Sequence, residues 1–395
     1  MQRVGDRGRR AIVLICLATV AAVAAILLYL RPALAPELPA PRPAPAAGPS
    51  WTISSASFGD AQHGAVDVHA RGRVATFVTS DGGRTWRRVA TEAAVTTFLD
   101  RDHAVAVDLG PSDRFGISDD AGRTWRTVPQ PTTVLGAPLD FGPSGPVAGP
   151  FFLDAADGWW FGPRSGTGQG TLWRTVDGGR TWSDVAPSGV PPADQHPLRP
   201  VFIDAVRGAV VIAADGPDVL PELLVTRDGG RSWRHAAPAW PAIGAPAGQA
   251  AIVSPALLAH GDRLVLSLDV LVARSSGPSQ QSQRLLAASE DGGATWGPWT
   301  QAPPALPIAA LSFDDAGRLV LVDGTRLWSS ADLGHTWQSR TVAGPDGQRS
   351  TLISARGGML LVARLPAPGA ATAPALLRSL DGGGHWTEIA LPPPP

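Results

Sequence analysis

The sequence predicts an all-β fold: a seven-bladed β-propeller of four-stranded blades behind an N-terminal transmembrane helix. Three observations predict it. One short motif occurs seven times, a second motif precedes several of its copies, and a twenty-residue uncharged run lies near the N-terminus. Successive copies of the first motif lie 39 to 63 residues apart. A repeat of that length marks a supersecondary unit that recurs along the chain.

The first motif is Thr79-Ser80-Asp81-Gly82-Gly83-Arg84-Thr85-Trp86, which we call the box. Its general form is Ser/Thr-x-Asp-x-Gly-x-Thr/Ser-Trp, and the last copy departs from it, with His385 before the Trp. The Asp and Trp residues of the seven boxes are Asp81 and Trp86, Asp120 and Trp125, Asp177 and Trp182, Asp228 and Trp233, Asp291 and Trp296, Asp332 and Trp337, and Asp381 and Trp386.

The composition of the box is typical of a hairpin turn between two strands. An Asp side chain accepts hydrogen bonds from the backbone two residues on, and glycine adopts positive φ without strain. The Trp that follows offers a large apolar ring to bury. We interpret the box as a folding element. The alternative, a calcium site, is disfavoured because each loop supplies one carboxylate, too few oxygens for that ion.

A second motif, Phe-x-Asp, precedes five boxes, at Phe58-x-Asp60, Phe98-x-Asp100, Phe152-x-Asp154, Phe202-x-Asp204 and Phe313-x-Asp315. In three copies a glycine follows four residues after the Asp: Gly64, Gly158 and Gly208. The distance from each Phe to its box leaves room for two short strands, so each unit holds four strands. Blade 1 is expected at Ile53–Phe58, Ala65–His69, Val74–Thr79 and Thr85–Val89. Seven such units arranged radially form a propeller.

The box resembles the Asp-box, or BNR, repeat of sialidases, sortilin-type receptors and related propellers. Its pairing with Phe-x-Asp-x-x-x-Gly resembles the photosystem II assembly and stability factor type, also a seven-bladed propeller. The resemblance covers about residues 51–390. It implies the fold. It says less about function, because the box belongs to the scaffold in all these families.

The residues present exclude a sialidase of the usual mechanism. The resemblance implies that such an enzyme would need a tyrosine nucleophile. The one tyrosine, Tyr29, lies in the uncharged N-terminal run. A glycosidase with two carboxylates stays open, although most aspartates belong to boxes or Phe-x-Asp turns. We expect no catalytic residues, no cofactor and no metal site.

Composition narrows the class of partner. Lysine and asparagine are absent, so all 33 basic residues are arginine, and the net charge is −1. A nucleic-acid-binding protein should be markedly basic, so none is expected as a partner. The protein partner is unknown, a membrane complex is one candidate, and a glycan is another.

The N-terminus predicts a membrane anchor. Residues 1–10 are an arginine-rich cytoplasmic tail, and residues 11–30 are an uncharged run long enough to span a bilayer. The arginines place the tail in the cytoplasm and the rest outside, in a single-pass cell-membrane protein. The alternative is secretion after cleavage at Ala33-Leu34-Ala35, which Pro36 disfavours. Residues 31–50 are a Pro/Ala-rich linker, and residues 51–395 form the propeller.

The long insertions predict the binding surface. In four-stranded blades, the loops that join strands two and three share one face with the connections between blades. This face takes every long connection: 129–149, 164–170, 186–199, 235–249, 273–283 and 365–374. Binding loops vary on a regular scaffold. The candidate binding residues there are Arg164, His196, Arg199, Trp240 and Arg274, with Trp159 and Trp160 near the inner strands. We expect this long-loop face to look toward the membrane or a membrane partner.

The sequence therefore predicts a membrane-anchored, extracytoplasmic propeller that acts as a non-catalytic binding or assembly scaffold for a protein. The alternative is a glycan-binding module or a glycoside hydrolase with a carboxylate pair.

Overall fold

The computed structural model describes the chain from Trp51 onward, apart from short gaps. The described ranges are 51–70, 73–89, 95–107, 114–129, 150–163, 170–185, 196–197, 200–213, 221–236, 238, 250–272, 281–303, 311–342, 349–355, 358–365 and 373–392. Residues from Gly48 to Pro395 form one compact unit.

The described residues form seven antiparallel sheets, and each sheet uses strands that are consecutive in the chain. This arrangement confirms the all-β, seven-bladed propeller with four-stranded blades. Blades 1 and 2 contain β1 (Trp51–Phe58), β2 (Gly64–Ala70), β3 (Arg73–Thr79), β4 (Arg87–Arg88), β5 (Val95–Phe98), β6 (Ala104–Val107), β7 (Arg114–Ser118) and β8 (Arg126–Pro129). Blade 3 contains β9 (Phe151–Phe152), β10 (Gly158–Pro163), β11 (Gly170–Thr175) and β12 (Ser183–Asp184).

The remaining four blades follow in the same order. Blade 4 contains β13 (His196–Pro197), β14 (Val201–Phe202), β15 (Gly208–Ala213), β16 (Glu222–Thr226) and β17 (Arg234–His235). Blade 5 contains β18 (Ala250–His260), β19 (Arg263–Val272), β20 (Gln281–Ser289) and β21 (Thr300–Gln301). Blades 6 and 7 contain β22 (Leu311–Phe313), β23 (Leu319–Asp323), β24 (Arg326–Ser330), β25 (Gln338–Thr341), β26 (Arg349–Ser354), β27 (Leu360–Leu365), β28 (Ala375–Ser379) and β29 (Thr387–Ile389).

Blade 4 has one strand more than the pattern because its first strand is in two pieces. Both β13 and β14 pair with β15, His196 opposite Ala213 and Phe202 opposite Gly208. The register of the two pieces differs by one residue, as in a β-bulge. Together they occupy the first-strand position of the blade.

The glycine of the second motif has a packing role. Phe58, Phe152 and Phe202 lie opposite Gly64, Gly158 and Gly208 in the first hairpin of their blades. A Cβ on Gly64 would lie 2.4 Å from the Phe58 ring. The aromatic ring therefore covers the glycine, and a side chain there would displace the ring from the core.

The glycine two residues after the box Asp, which we call the second box glycine, forms the joint between neighbouring blades. Gly230 has φ +95°, and a Cβ on it would lie 2.3 Å from Leu172 Cδ2 in β11 of the preceding blade. The same close approach joins Gly122 to Val78, Gly293 to Val225, Gly334 to Leu286 and Gly383 to Leu327. Positive φ and close contact act together here, so the turn needs glycine at this position.

The ring closes without a shared strand, because blade 1 and blade 7 are each complete in themselves. Closure depends on side chains. Gly83 packs on Ile389, where a Cβ would lie 2.3 Å from Cγ2. Trp86 donates from Nε1 to the carbonyl of Ala390 (2.6 Å), and Arg378 donates to the carbonyl of Gly82 (3.0 Å). The first-blade core, including Trp51 and Ile53, packs on Met359 and Leu361 of blade 7.

Within the described part of the chain, no helix is long and apolar enough to cross a membrane. The predicted tail, anchor and linker, residues 1–50, lie outside the described residues.

We expect Gly230→Ala to destabilise the propeller by about 2–5 kcal/mol, from left-handed backbone strain and from overpacking against Leu172. Gly261→Ala is the matched control, because Gly261 has φ +54° and open space around its Cβ position. The control should cost about 1–2 kcal/mol, the strain alone. Urea unfolding measures both. Equal losses of unfolding free energy in the two variants would contradict the role of Gly230 as a joint between blades.

Trp86→Phe should loosen the ring at its closure, because it removes the hydrogen bond to Ala390 at a cost of about 1 kcal/mol. Trp337→Phe is the control, since Trp337 donates within its own box, to the carbonyl of Gly334 (3.1 Å). We expect amide hydrogen exchange to accelerate in Thr387–Ile389 in the first variant alone. Unchanged exchange there would show that closure does not depend on this bond.

Candidate functional site

Most of the predicted binding residues lie outside the described residues. These are Arg164, Arg199, Trp240 and Arg274. For His196 the structure gives the backbone position, in β13 opposite Ala213. Their role as a contact surface therefore stays a prediction. The strand ends that flank the long connections lie on the face opposite the boxes, as the four-stranded topology requires.

Trp159 and Trp160, which were predicted near the inner strands, lie in β10 and are core residues. Trp159 is fully buried and stacks on Phe202, with ring centroids 3.7 Å apart and planes 5° from parallel. Its Nε1 donates to the carbonyl of Gly229 (3.2 Å), which ties blade 3 to blade 4. Trp160 is also buried. Their sequence position on an inner strand is equally compatible with a face that points into the core.

Each box holds its aspartate in a closed set of hydrogen bonds. In the first box Oδ1 of Asp81 accepts from the Thr79 hydroxyl (2.8 Å) and the Thr85 amide (2.9 Å), and Oδ2 accepts from the Thr85 hydroxyl (2.6 Å). The Thr79 hydroxyl in turn accepts from the amide of Gly83 (2.9 Å). The other six boxes repeat the pattern, with the final hydroxyl replaced in the last.

The seventh box shows how the exception is accommodated. His385 stands where the other boxes have Thr or Ser, and its Nδ1 lies 2.5 Å from Oδ2 of Asp381. The ring nitrogen therefore takes the place of the hydroxyl. The hydrogen bonds from the amide and ring of His385 hold the pKa of Asp381 well below its ordinary value.

These hydrogen bonds favour the ionised carboxylate. Hydrogen bonds from Thr85, Thr295 and Thr336 lower the pKa of Asp81, Asp291 and Asp332 to about 2. At Asp120, Asp177 and Asp228 partial desolvation opposes the shift, but the hydrogen bonds outweigh it and the pKa is again lowered. A general acid needs the opposite shift at neutral pH. The box aspartates are therefore unsuited to that role.

The aspartates of the second motif are also held in turns. Asp60 accepts from the amides of Gln62 and His63 (both 2.7 Å), and Asp204 accepts from the amide of Val206 (2.8 Å). The turn carbonyls contact the boxes: the amide of Gly82 donates to the carbonyl of Gln62 (2.8 Å). The two motifs thus share one face of the ring, as predicted.

Blade 6 corrects one assignment. The turn there is built on Asp314, not Asp315: Asp314 Oδ1 accepts from the amides of Ala316 (3.1 Å) and Arg318 (2.9 Å). Asp315 instead accepts from the amide of Gly358 in the next blade. Gly317, with φ +71°, gives this turn a shape that brings the first of the two carboxylates inward.

Two charged groups are buried in strands. Asp67 is fully buried and accepts from Ser55 (2.5 Å) and Thr76 (2.6 Å) of blade 1 and from the Thr96 amide (2.7 Å) of blade 2. Burial raises the pKa of Asp67 above its ordinary value, although these hydrogen bonds act against the rise. In blade 5, Asp269 and Arg284 form a bidentate pair with N–O distances of 2.6 and 2.8 Å.

A cleft of about 280 Å³ lies between the outer strand of blade 5 and the box of blade 6. It arises because β21 begins four residues after Trp296, whereas β4 begins directly after Trp86. Leu286, Ala288 and Leu333 supply its apolar lining. Its carboxylates are Glu290 and Asp332, and both oxygens of Asp332 are already hydrogen-bonded within the box. One free carboxylate does not make the pair that a glycosidase needs.

Glu290 and Asp332 in this cleft are thus not a catalytic carboxylate pair. The carboxyl group with a raised pKa, Asp67, is enclosed between strands and cannot meet a substrate. Among the described side chains, no group of three or more His, Cys, Asp or Glu is placed to hold a metal ion. In the boxes, hydroxyl and amide groups occupy the oxygens that a calcium ion would require.

No protein-family model matches the chain, and no curated protein matches it. Solved structures do. A structure of prolyl endopeptidases is 10% identical with a TM-score of 0.51, and the match covers 86% of this chain and 50% of that one. This similarity supports the fold alone.

Two further solved structures are similar at lower TM-scores. YCF48 from Cyanidioschyzon merolae is 15% identical, with 79% of this chain and 95% of that one covered and a TM-score of 0.47. An ulvan lyase is 13% identical, with 73% and 80% covered and a TM-score of 0.46.

Asp332→Asn should reduce stability at neutral pH, because an amide nitrogen cannot accept the Thr336 hydrogen bond. The folded-state pKa of Asp332, about 2, lies below the ordinary 3.8. Its contribution is therefore complete above about pH 4 and disappears as the pH falls toward the folded value. In urea unfolding at pH 7 we expect a lower free energy of unfolding for the variant than for the parent protein. This difference should vanish as the pH falls to about 2, the folded-state pKa of Asp332.

The control is Glu290→Gln, which removes an exposed carboxylate with no hydrogen bond in the described part of the chain. Its difference from the parent should be small at every pH. A constant deficit in Asp332→Asn down to the lowest pH would show that the carboxylate charge is not what stabilises the box.

Proposed function

We propose that the chain is a membrane-anchored, extracytoplasmic propeller that acts as a non-catalytic binding or assembly scaffold for a protein partner. The observation that carries the proposal is that the aspartates of the boxes and turns stabilise the scaffold. Box aspartates, turn aspartates and Asp67 are all hydrogen-bonded within the scaffold. The scaffold is regular, and the variation among blades is concentrated in the long connections, where a partner would bind.

The binding surface in this proposal is the long-loop face, with Arg199 and Trp240 as anchors. Arginine and tryptophan dominate the energetics of many interfaces, since both bury large surfaces and donate hydrogen bonds. The predicted linker joins the ring at Trp51, at the start of an innermost strand, and that strand end belongs to the same face. The proposal therefore turns this face toward a membrane-bound partner.

An affinity pull-down of the full-length protein from gently solubilised membranes tests the proposal. We expect specific membrane proteins to co-purify and to be lost from the double variant Arg199→Ala, Trp240→Ala. Truncation of an interface anchor typically costs about 2 kcal/mol or more, so two anchors should reduce recovery by at least tenfold. The matched control is Arg234→Ala, Arg340→Ala, which alters exposed arginines on the outer strands β17 and β25.

Failure of the proposal has a recognisable form. If no protein co-purifies but the protein binds or trims surface polysaccharides, the glycan alternative replaces the scaffold. Cleavage of glycan by the protein would show that it is an enzyme.

A further inference from the structure

The outer rim of the ring is basic on one side. We compare three rim positions in each blade: the third residue after the box Asp and the two residues that follow the box Trp. In blades 1 and 2 five of the six are arginine: Arg84, Arg87, Arg88, Arg123 and Arg126. Blade 3 has one, Arg180, and blade 4 has two, Arg231 and Arg234. In blades 5, 6 and 7 none is arginine: Ala294, Gly297, Pro298, His335, Gln338, Ser339, Gly384, Thr387 and Glu388. We call the five arginines the basic rim.

The basic rim is exposed and is not neutralised by ion pairs. Arg84, Arg88, Arg123 and Arg126 are exposed, and none pairs with a carboxylate of the described part. The fifth, Arg87, donates from Nη2 to the carbonyl of Gly122 (2.7 Å). That bond holds a blade 1 guanidinium beside the residue that precedes Arg123. The arginines of the two blades therefore form one continuous surface.

Nearby carboxylates offset this charge only in part. Asp81 and Asp120 lie in the same boxes, with their oxygens hydrogen-bonded to box hydroxyls and amides, so two negative charges stand beside five positive ones. Asp119 pairs with Arg180 of blade 3 at 2.5 Å. The half-buried rings of Trp86 and Trp125 lie on the same rim.

Charged residues on edge strands also prevent sheets from pairing edge to edge. That role does not explain the asymmetry, because the outer strands of blades 5 and 7 are equally edges and have no rim arginine. The fold sets no charge at these positions. The basic sector therefore points to a partner.

We propose that the basic rim docks edge-on against an anionic membrane surface, with its arginines contacting lipid phosphates. The inference rests on the membrane anchoring in the proposed function. The predicted anchor and linker join the ring at Trp51 of blade 1, the blade that carries three of the five arginines. A linker of twenty residues reaches up to about 60 Å at ~3.1 Å per residue, enough for the disc to lie on its edge.

The shape of the rim favours a lipid surface over an acidic protein. The cleft found on the rim lies between blades 5 and 6, away from the arginines. The five arginines are exposed and spread over two adjacent blades, and such a row of guanidinium groups fits a surface with phosphates at many positions.

Binding of residues 51–395 to vesicles tests the proposal, since every strand of the ring and its closure contacts lie in this part. Flotation would compare phosphatidylcholine vesicles with vesicles that contain about 30% phosphatidylglycerol. We expect binding to the anionic vesicles at about 50 mM salt and its loss at about 500 mM, where screening shortens the range of charge interactions.

The double variant Arg88→Gln, Arg126→Gln should weaken partitioning by about 25-fold, near fivefold for each arginine. The matched control is Arg326→Gln, Arg340→Gln, which removes the same charge from exposed positions of blade 6 that are not rim positions. We expect the control to stay within about twofold of the parent protein.

Three results would overturn the proposal. The parent protein could bind both vesicles equally, or the control could lose as much affinity as the rim variant, which would indicate net charge alone. A glutamate-rich peptide that binds at the rim while anionic vesicles do not would assign the surface to an acidic protein. The pull-down concerns the long-loop face, so the failure of either experiment leaves the other interpretable.

Discussion

The contact between each box and the preceding blade is the constraint on which the ring depends. Each sheet is built from consecutive strands, so no backbone hydrogen bond crosses from one described blade to the next within a sheet. Blades are joined by side chains, with the second box glycine pressed against an aliphatic residue of its neighbour. Stability in such repeats is approximately a sum of unit terms and nearest-neighbour terms. The contact of blade 7 with blade 1 differs because it must close the ring: Trp86 donates to the chain end at Ala390, whereas Trp337 donates within its own box.

This constraint explains why the box cannot also serve chemistry. The aspartate orients the turn that carries the glycine, and it does so by accepting hydrogen bonds on both oxygens. A metal ion or substrate that took those oxygens would release the turn and with it the joint between blades. Structural and chemical use of the same carboxylate are therefore in conflict. The scaffold face is fixed for this reason, and functional variation is left to other positions.

The sequence was sufficient for the blade number, the hairpin at the box and the order of strands. The first three strands of blade 1 exceed the predicted ranges by one or two residues at an end, and the fourth is Arg87–Arg88, shorter than the predicted Thr85–Val89. The spacing of the motifs could not show which of two similar neighbouring residues takes a given structural role. Asp314 and Asp315 are adjacent carboxylates, and the positive φ of Gly317 selects the first. The sequence is compatible with Trp159 and Trp160 being either exposed or buried. The stacking of Trp159 on Phe202 in the structure decides the matter for Trp159.

His385 illustrates a different limit. A broken motif does not mean a broken structure, because a ring nitrogen can take the position of a hydroxyl in the same hydrogen bond. Sequence patterns record residue types, whereas the turn requires a donor at one point in space. The candidate binding residues on the long connections could be proposed from insertion length, but no periodic signal fixes where such loops place their side chains.

The repeats also provide an internal comparison that a single domain lacks. Seven copies of one unit satisfy the same constraints at the Asp, the second glycine and the Trp, so these positions report on folding. Positions at which the fold accepts Arg, Ala, His and Gly alike, such as residues 84, 294, 335 and 384, are free of that demand. A systematic bias at free positions needs a cause outside the blade. The side of the ring that gathers arginine and the varied lengths of the connections in the sequence are two places where this chain departs from its own repeat.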